Sequence, residues 1–194
     1  MSLTLLDWRR RVFALYAEVR RSDPRAGWER WRDVRADLFR DHPQSPSPGY
    51  TRLVYFDYDP SFRFLADVEA AEEQVLEIAG SAGSLTRFRR FARARFELGE
   101  LELYWLDAYG GGIFLPFRDG TSGTETYGAG RYLLDTVKGS DLGSEDGRLV
   151  LDFNFAYNPS CSYADCWACP LAPPPNRLAA PIRAGERYAM GSTP

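Results

Sequence analysis

The hydrophobic residues of this chain recur at helical spacing up to residue 39 and at strand spacing from residue 52 onward, with Pro43, Pro46 and Pro48 between the two regimes. That single change of period confines the recognisable helices to the N-terminus and leaves the remainder to bury its apolar surface through sheets. Leu5, Trp8, Val12, Leu15, Tyr16 and Val19 share one face of a helix predicted over 4–21, opposite Arg9, Arg10, Glu18 and Arg20. Asp23 before Pro24 is an acidic cap preceding a proline at the first helical position, which is a good helix start. The second helix carries Trp28, Trp31, Val34, Leu38 and Phe39 on one face and is predicted to stop near Asp41.

Beyond the prolines, Arg52, Val54, Phe56 and Tyr58 alternate with Leu53, Tyr55 and Asp57, as in a strand. Residues 62–79 fit two short strands or one helix, and strands are the reading adopted. Ala92, Ala94, Phe96 and Leu98 alternate with Arg93, Arg95 and Glu97; Gly99 then separates them from Leu101, Leu103 and Trp105, the pattern of a hairpin. A short strand at 113–117, a turn at Asp119-Gly120, a strand at 149–157, a proline-rich return and a last short strand near Ile182 follow. Many short strands, Gly/Pro turns and no interleaved helices predict a β-rich α+β domain. Its core is expected to be an antiparallel β-barrel or sandwich with the two N-terminal helices packed on it. One domain is expected, with a helical cap over 1–42 and a β-rich core over 50–188.

Charge and composition exclude several functions. The formal net charge of −3 gives no pull toward nucleic acid or anionic lipid. No apolar run is long enough to span a membrane, and the basic cluster at the N-terminus follows the apolar stretch rather than preceding it, unlike a secretory signal. A cytoplasmic chain with reduced thiols is therefore expected. Aromatic residues reach 14%, which suits both pleated sheets and the walls of a small-molecule pocket. The single histidine, His42, rules against a multi-histidine metal site and leaves a Ser–His or Cys–His couple with only one, poorly placed base.

The strand expected at 149–157 is the most informative segment. Leu149, Leu151, Phe153 and Phe155 would face the core, leaving Val150, Asp152, Asn154 and Ala156 on the other face. Asp152 and Asn154 would then point the same way, about 7 Å apart. They read either as a polar wall of a ligand pocket or as a solvated or buried structural network. Asn158-Pro159 ends the strand, with Asn158 a turn residue or part of the same pocket mouth. The Gly- and hydroxyl-rich passage 117–132 could present backbone N–H groups to an anion with Arg131 as counter-charge, or be a plain loop in which Arg131 pairs with Glu125 or Asp152. It lacks the Gly-Lys-Ser/Thr ending of a P-loop. Cys161, Cys166 and Cys169 show C-x4-C-x2-C spacing without a fourth cysteine, so neither an iron–sulfur cluster nor zinc is expected, and no cofactor is implied. Packed or redox thiols fit better.

Tyr127-Gly128-Ala129-Gly130-Arg131-Tyr132-Leu133, the element DFN-x-AYNP-x-C from Asp152 to Cys161, Cys169-Pro170-Leu171-Ala172-Pro173, Asn176-Arg177-Leu178 and Ile182-Arg183-Ala184-Gly185-Glu186 together resemble the uncharacterised family known as domain of unknown function 1684. The segment from Phe39 to Pro46 resembles it more weakly. The resemblance implies one β-rich domain with a proline-rich C-terminal return, and no activity. It also implies that Cys161 and Cys169 belong to the motif while Cys166 is an addition. Its polar members, Arg131, Asp152, Asn154, Tyr157, Asn158, Asn176 and Glu186, are the expected ligand-binding residues.

Three functions compete on this reading. One is a pocket on the β core for a small polar or anionic molecule. The second is a carboxylate-based hydrolase or lyase with Asp152 or Glu186 as general base. The third is a non-catalytic interaction module that uses the two helices and would expose Trp28 and Trp31.

Overall fold

The computed structural model describes residues 3–83, 85–107 and 109–188. Helix α1 spans Leu3–Val19 and α2 spans Pro24–Asp41. The Asp23 carboxylate accepts from the backbone N–H groups of Arg25 and Ala26, both at 3.1 Å, and so satisfies two donors that a helix start leaves open. Trp28, Trp31, Leu38 and Phe39 of α2 are buried, as are Leu15, Tyr16 and Val19 of α1. The Trp31 indole N–H donates to the Tyr16 hydroxyl at 3.1 Å, which joins the two helices inside the core. No helix among the described residues is long and apolar enough to cross a membrane.

Seven strands follow among the described residues: β1 (Arg63–Ala79), β2 (Leu85–Phe96), β3 (Gly99–Leu106), β4 (Ile113–Phe117), β5 (Arg131–Asp135), β6 (Ser144–Glu145) and β7 (Arg148–Asp152). They form one antiparallel sheet in the order β5-β4-β3-β2-β1-β7-β6. The order has two ends, so the barrel alternative gives way to an open, sandwich-like α+β arrangement. Two-residue β6, exposed throughout, is too short to carry the ladder round to β5. Leu15 and Trp31 from the helices, Leu103, Leu133 and Leu151 from the strands, and Ile182 and Ala184 from the return share one apolar core.

Residues 63–79 form one strand, not two and not a helix. The break between the two halves survives as a register shift between Ala70 and Gln74. Facing pairs Asp67↔Arg95, Glu69↔Arg93 and Glu77↔Arg87 set opposite charges across β1 and β2 and help fix their register. Two expected strands are missing. Residues 52–58 are extended, but among the described residues their only bridge is Tyr55↔Glu186, and the stretch near Ile182 likewise pairs there only through Glu186. The strand expected at 149–157 ends at Asp152, where the carboxylate turns back on the Asn154 N–H at 3.0 Å and starts the 3-10 turn Phe153–Phe155. A local side-chain acceptor has outcompeted the ladder. The two-face alternation expected there is therefore lost, and Val150, Leu151, Asp152, Phe153 and Asn154 are all buried.

Candidate functional site

Four of the expected site residues hold the framework together. Arg131, 1% exposed, donates through Nη2 to Asp119 at 2.9 Å and to the Ile182 carbonyl at 2.9 Å, and through Nη1 to the carbonyls of Ala184 and Glu186. Its acid is Asp119, correcting the expected pairing with Glu125 or Asp152; Glu125 instead binds Arg183. Asp152 takes two hydrogen bonds from Asn154 on Oδ1, and Arg63 approaches its Oδ2 to only 3.9 Å. Asn154 accepts from Asp59 N–H at 3.0 Å and donates to Asp59 C=O at 2.8 Å, pinning the segment before β1. Asn176 accepts from Glu102 N–H and donates to the carbonyls of Glu102 and Pro116, joining β3 to β4.

The other three, Tyr157, Asn158 and Glu186, converge. Residue 157 exchanges both backbone hydrogen bonds with Tyr132 of β5, at 2.9 and 3.0 Å, which extends the sheet by one pair beneath α2. Here a cavity of about 110 Å³ lies between the helices and the sheet. Trp8, Trp31, Phe39, Tyr132, Tyr157 and Tyr163 supply aromatic wall, while Tyr16, Arg35, Asp135, Ser140 and Asn158 supply polar atoms. A larger groove on the outer side of the helices is lined by charges that already satisfy one another, such as Asp7–Arg11, Glu18–Arg30 and Asp37–Arg40.

Arg35 is the centre of the inner cavity's chemistry. Its Nη2 donates to Glu186 Oε2 at 2.8 Å and its Nε to the Tyr55 hydroxyl at 3.1 Å. The guanidinium carbon stands 4.9 Å from the Trp31 ring centroid and 5.2 Å from those of Phe39 and Tyr157. Nη1 makes no hydrogen bond to any described residue. Burial works against the charge, but Tyr55 and Glu186 outweigh it and hold the group firmly protonated. Glu186 spends both oxygens: Oε2 also accepts from Asn158 N–H at 3.0 Å, and Oε1 accepts from the Tyr163 hydroxyl. Burial nevertheless pushes the Glu186 carboxyl up, against the pull of Arg35, Tyr163 and Asn158. It pushes the Tyr157 and Tyr163 phenols up as well, so both stay neutral donors. The Asn158 amide donates to Arg187 C=O at 3.0 Å, while its buried Oδ1 has no partner among the described residues. The cavity thus offers one unspent cationic donor, Arg35 Nη1, within aromatic walls.

A family model described as "Protein of unknown function (DUF1684)" matches residues 48–187. The chain belongs to the DUF1684 family. An uncharacterized protein from Haloarcula marismortui, solved by solution NMR, is similar to this DUF1684 chain at 34% identity and a TM-score of 0.59, covering 86% of this chain and 95% of that one. No curated protein matches. The DUF1684 match contains Tyr157, Asn158 and Glu186 and begins after Arg35, so the helical half of the cavity lies outside the matched segment.

Sequence reasoning missed Arg35, although a signal was present. Trp28, Trp31, Arg35 and Leu38 follow i, i+3, i+7, i+10 spacing, so Arg35 occupies an apolar position of the α2 stripe. A cation on a core-facing stripe demands a buried partner.

Proposed function

We propose that this domain binds a small ring-sized organic acid in the cavity between its helices and its sheet. The observation that carries the reading is Arg35: a largely covered guanidinium, its side chain 13% exposed, with aromatic rings around it and Nη1 unspent. A carboxylate is the natural acceptor for that donor. A dry cavity of roughly 150 Å³ accepts benzene; at about 110 Å³ this one takes a short branched chain as it stands and a single ring once its walls give slightly. Tyr157 and Tyr163 would flank the ligand, and Glu186 would fix the angle of Arg35.

The test is a thermal-shift and calorimetric panel of benzoate, phenylacetate and hydroxybenzoates against their amides. Acids should raise the unfolding midpoint, amides should not, and Arg35→Met should abolish the shift measured from its own midpoint. If no acid stabilises the protein, or the shift persists in Arg35→Met, the reading is wrong.

The alternatives find less support. Both Glu186 oxygens are occupied, and Asp152 lines a different small cavity, away from the unspent Arg35 donor. Trp28 and Trp31 are 4% and 0% exposed, so the tryptophans that would have marked a contact surface on the helices serve the core instead.

A further inference from the structure

The cysteines form a second centre that the cavity reading does not use. Cys161 sits in the 3-10 turn Ser160–Ser162, half-buried, and its backbone N–H donates to Cys169 Sγ at 3.3 Å. Cys169 is buried and fixed in place: its N–H donates to Ser81 Oγ at 3.2 Å, its carbonyl accepts from Ser81 N–H at 3.0 Å, and Leu171 N–H donates to Ala79 C=O at 3.0 Å. The Tyr127 hydroxyl lies 3.8 Å from Cys161 Sγ. Both sulfurs are free thiols, while Cys166, between them in sequence, is exposed.

We propose that Cys161 and Cys169 are a thiol–disulfide exchange site, with Cys161 the attacking and Cys169 the resolving sulfur, whose substrate is a low-molecular-weight disulfide. The half-buried sulfur meets the reagent and the pinned, buried one waits behind it. The Cys161 thiolate attacks one sulfur of the disulfide RSSR, whose S–S bond breaks and releases RS⁻. Cys169 then gives up its proton and attacks Cys161 Sγ in the mixed disulfide, expelling the second RS⁻. Two protein thiols are oxidised to one disulfide, and RSSR is reduced to two RSH that carry the two protons away. The surroundings suit these roles. A hydrogen bond from the Cys169 thiol is the chief cause that brings the Cys161 thiol down to about 6, helped by the Ser81 and Tyr127 hydroxyls. The same bond, with burial, holds the Cys169 thiol up. Cys169 also lines the cavity described above, but the exchange chemistry does not rest on any ligand bound there.

The test treats the reduced protein with oxidised glutathione near neutral pH and maps the products by intact and peptide mass. A single intramolecular Cys161–Cys169 bridge is expected. Cys169→Ser should stop at glutathione on Cys161, Cys161→Ser should react at least about tenfold more slowly, and Cys166→Ser should behave as the parent. Alkylation of Cys161 should reach half its plateau rate near pH 6, against roughly 8.5 for an ordinary thiol; a merely packed thiol would not show this. Should a serine variant fail to fold, the alkylation profile and the bridge mapped in the parent and in Cys166→Ser decide alone. A bridge or adduct centred on Cys166, no reaction, or a Cys161 profile still rising past about pH 8 would overturn the proposal.

Discussion

Replacing Asp152 by asparagine should make this protein more stable at neutral pH, not less. Asp152 is 2% exposed, and burial pushes its carboxyl up to about 6 from an ordinary 3.8, against the opposing pull of Asn154 and Arg63. Between those two values the folded state binds the proton more tightly than the unfolded chain. Stability associated with this group is therefore fully present below about pH 4 and lost as pH rises through about 6. At 1.36 kcal/mol per decade, the carboxylate costs the folded state ~3 kcal/mol at neutral pH. Asparagine keeps an Oδ1 that can accept both hydrogen bonds from Asn154, at 3.0 and 2.8 Å, and carries no charge to desolvate. It loses the weak attraction of Arg63, 3.9 Å away and already bound to Glu145, so a net gain of roughly 1–3 kcal/mol is expected above pH 7. Urea unfolding of both proteins from about pH 4 to about pH 8 measures this directly. The curves should meet at the acid end and diverge toward neutrality. Parallel curves, or a variant less stable than the parent at about pH 8, would refute the assignment of burial as the dominant cause.

Three further outcomes follow from the described contacts. Arg35→Met strands the buried Glu186 carboxylate and should cost about 3–5 kcal/mol, while adding Glu186→Gln to it should restore more than half of the loss, as read from a double-mutant cycle in urea. Gly185→Ala should cost upward of about 3 kcal/mol, because φ is +75° and the new Cβ would stand 2.6 Å from Ala156 O and 2.7 Å from Phe153 O; a midpoint unchanged from the parent would contradict that. Asn176→Ala removes three buried hydrogen bonds from this side chain, two to Glu102 of β3 and one to Pro116 of β4, and should cost about 2–4 kcal/mol, with faster hydrogen exchange at the Glu102 amide.

The elements that the sequence announced are those built from local rules. Asp23-Pro24 starts α2 because cap and first turn are neighbours, and the hairpin of β2 and β3 closes at Gly99, where φ is +134°. What the sequence concealed depends on partners far along the chain. Residues 52–58 alternate as a strand does, yet their hydrogen bonds wait on 185–187: Phe56 N–H donates to Gly185 C=O at 3.0 Å and Arg187 N–H to Val54 C=O at 2.8 Å. Periodicity cannot say which acid Arg131 meets, because Asp119, Glu125 and Asp152 are equally charged in sequence and only Asp119 is folded against it. At Asp152 the same residue type that suggested a pocket wall served instead to break its own strand. Tyr157, Asn158 and Glu186 stood out as polar members of the motif, whereas Arg35 was hidden in an apolar stripe where its charge should have drawn notice.

The segment from Ile182 to Arg187 is stitched to places made much earlier, among them Val54 and Phe56, Ala156, Asp119 and the Arg131 guanidinium. During synthesis, α1, α2 and the strands leave the ribosome before the carbonyls that Arg131 grips and before the carboxylate that neutralises Arg35. In that interval Arg35 lacks its acid, and Arg131, already beside Asp119, lacks its carbonyl acceptors, a state that keeps the unfinished core open to water. The full set of core contacts is completed only when this short piece of chain is present. Holding the nascent chain short of residue 182 should thus leave a loosely collapsed intermediate, which makes the final residues of the described fold its timing device.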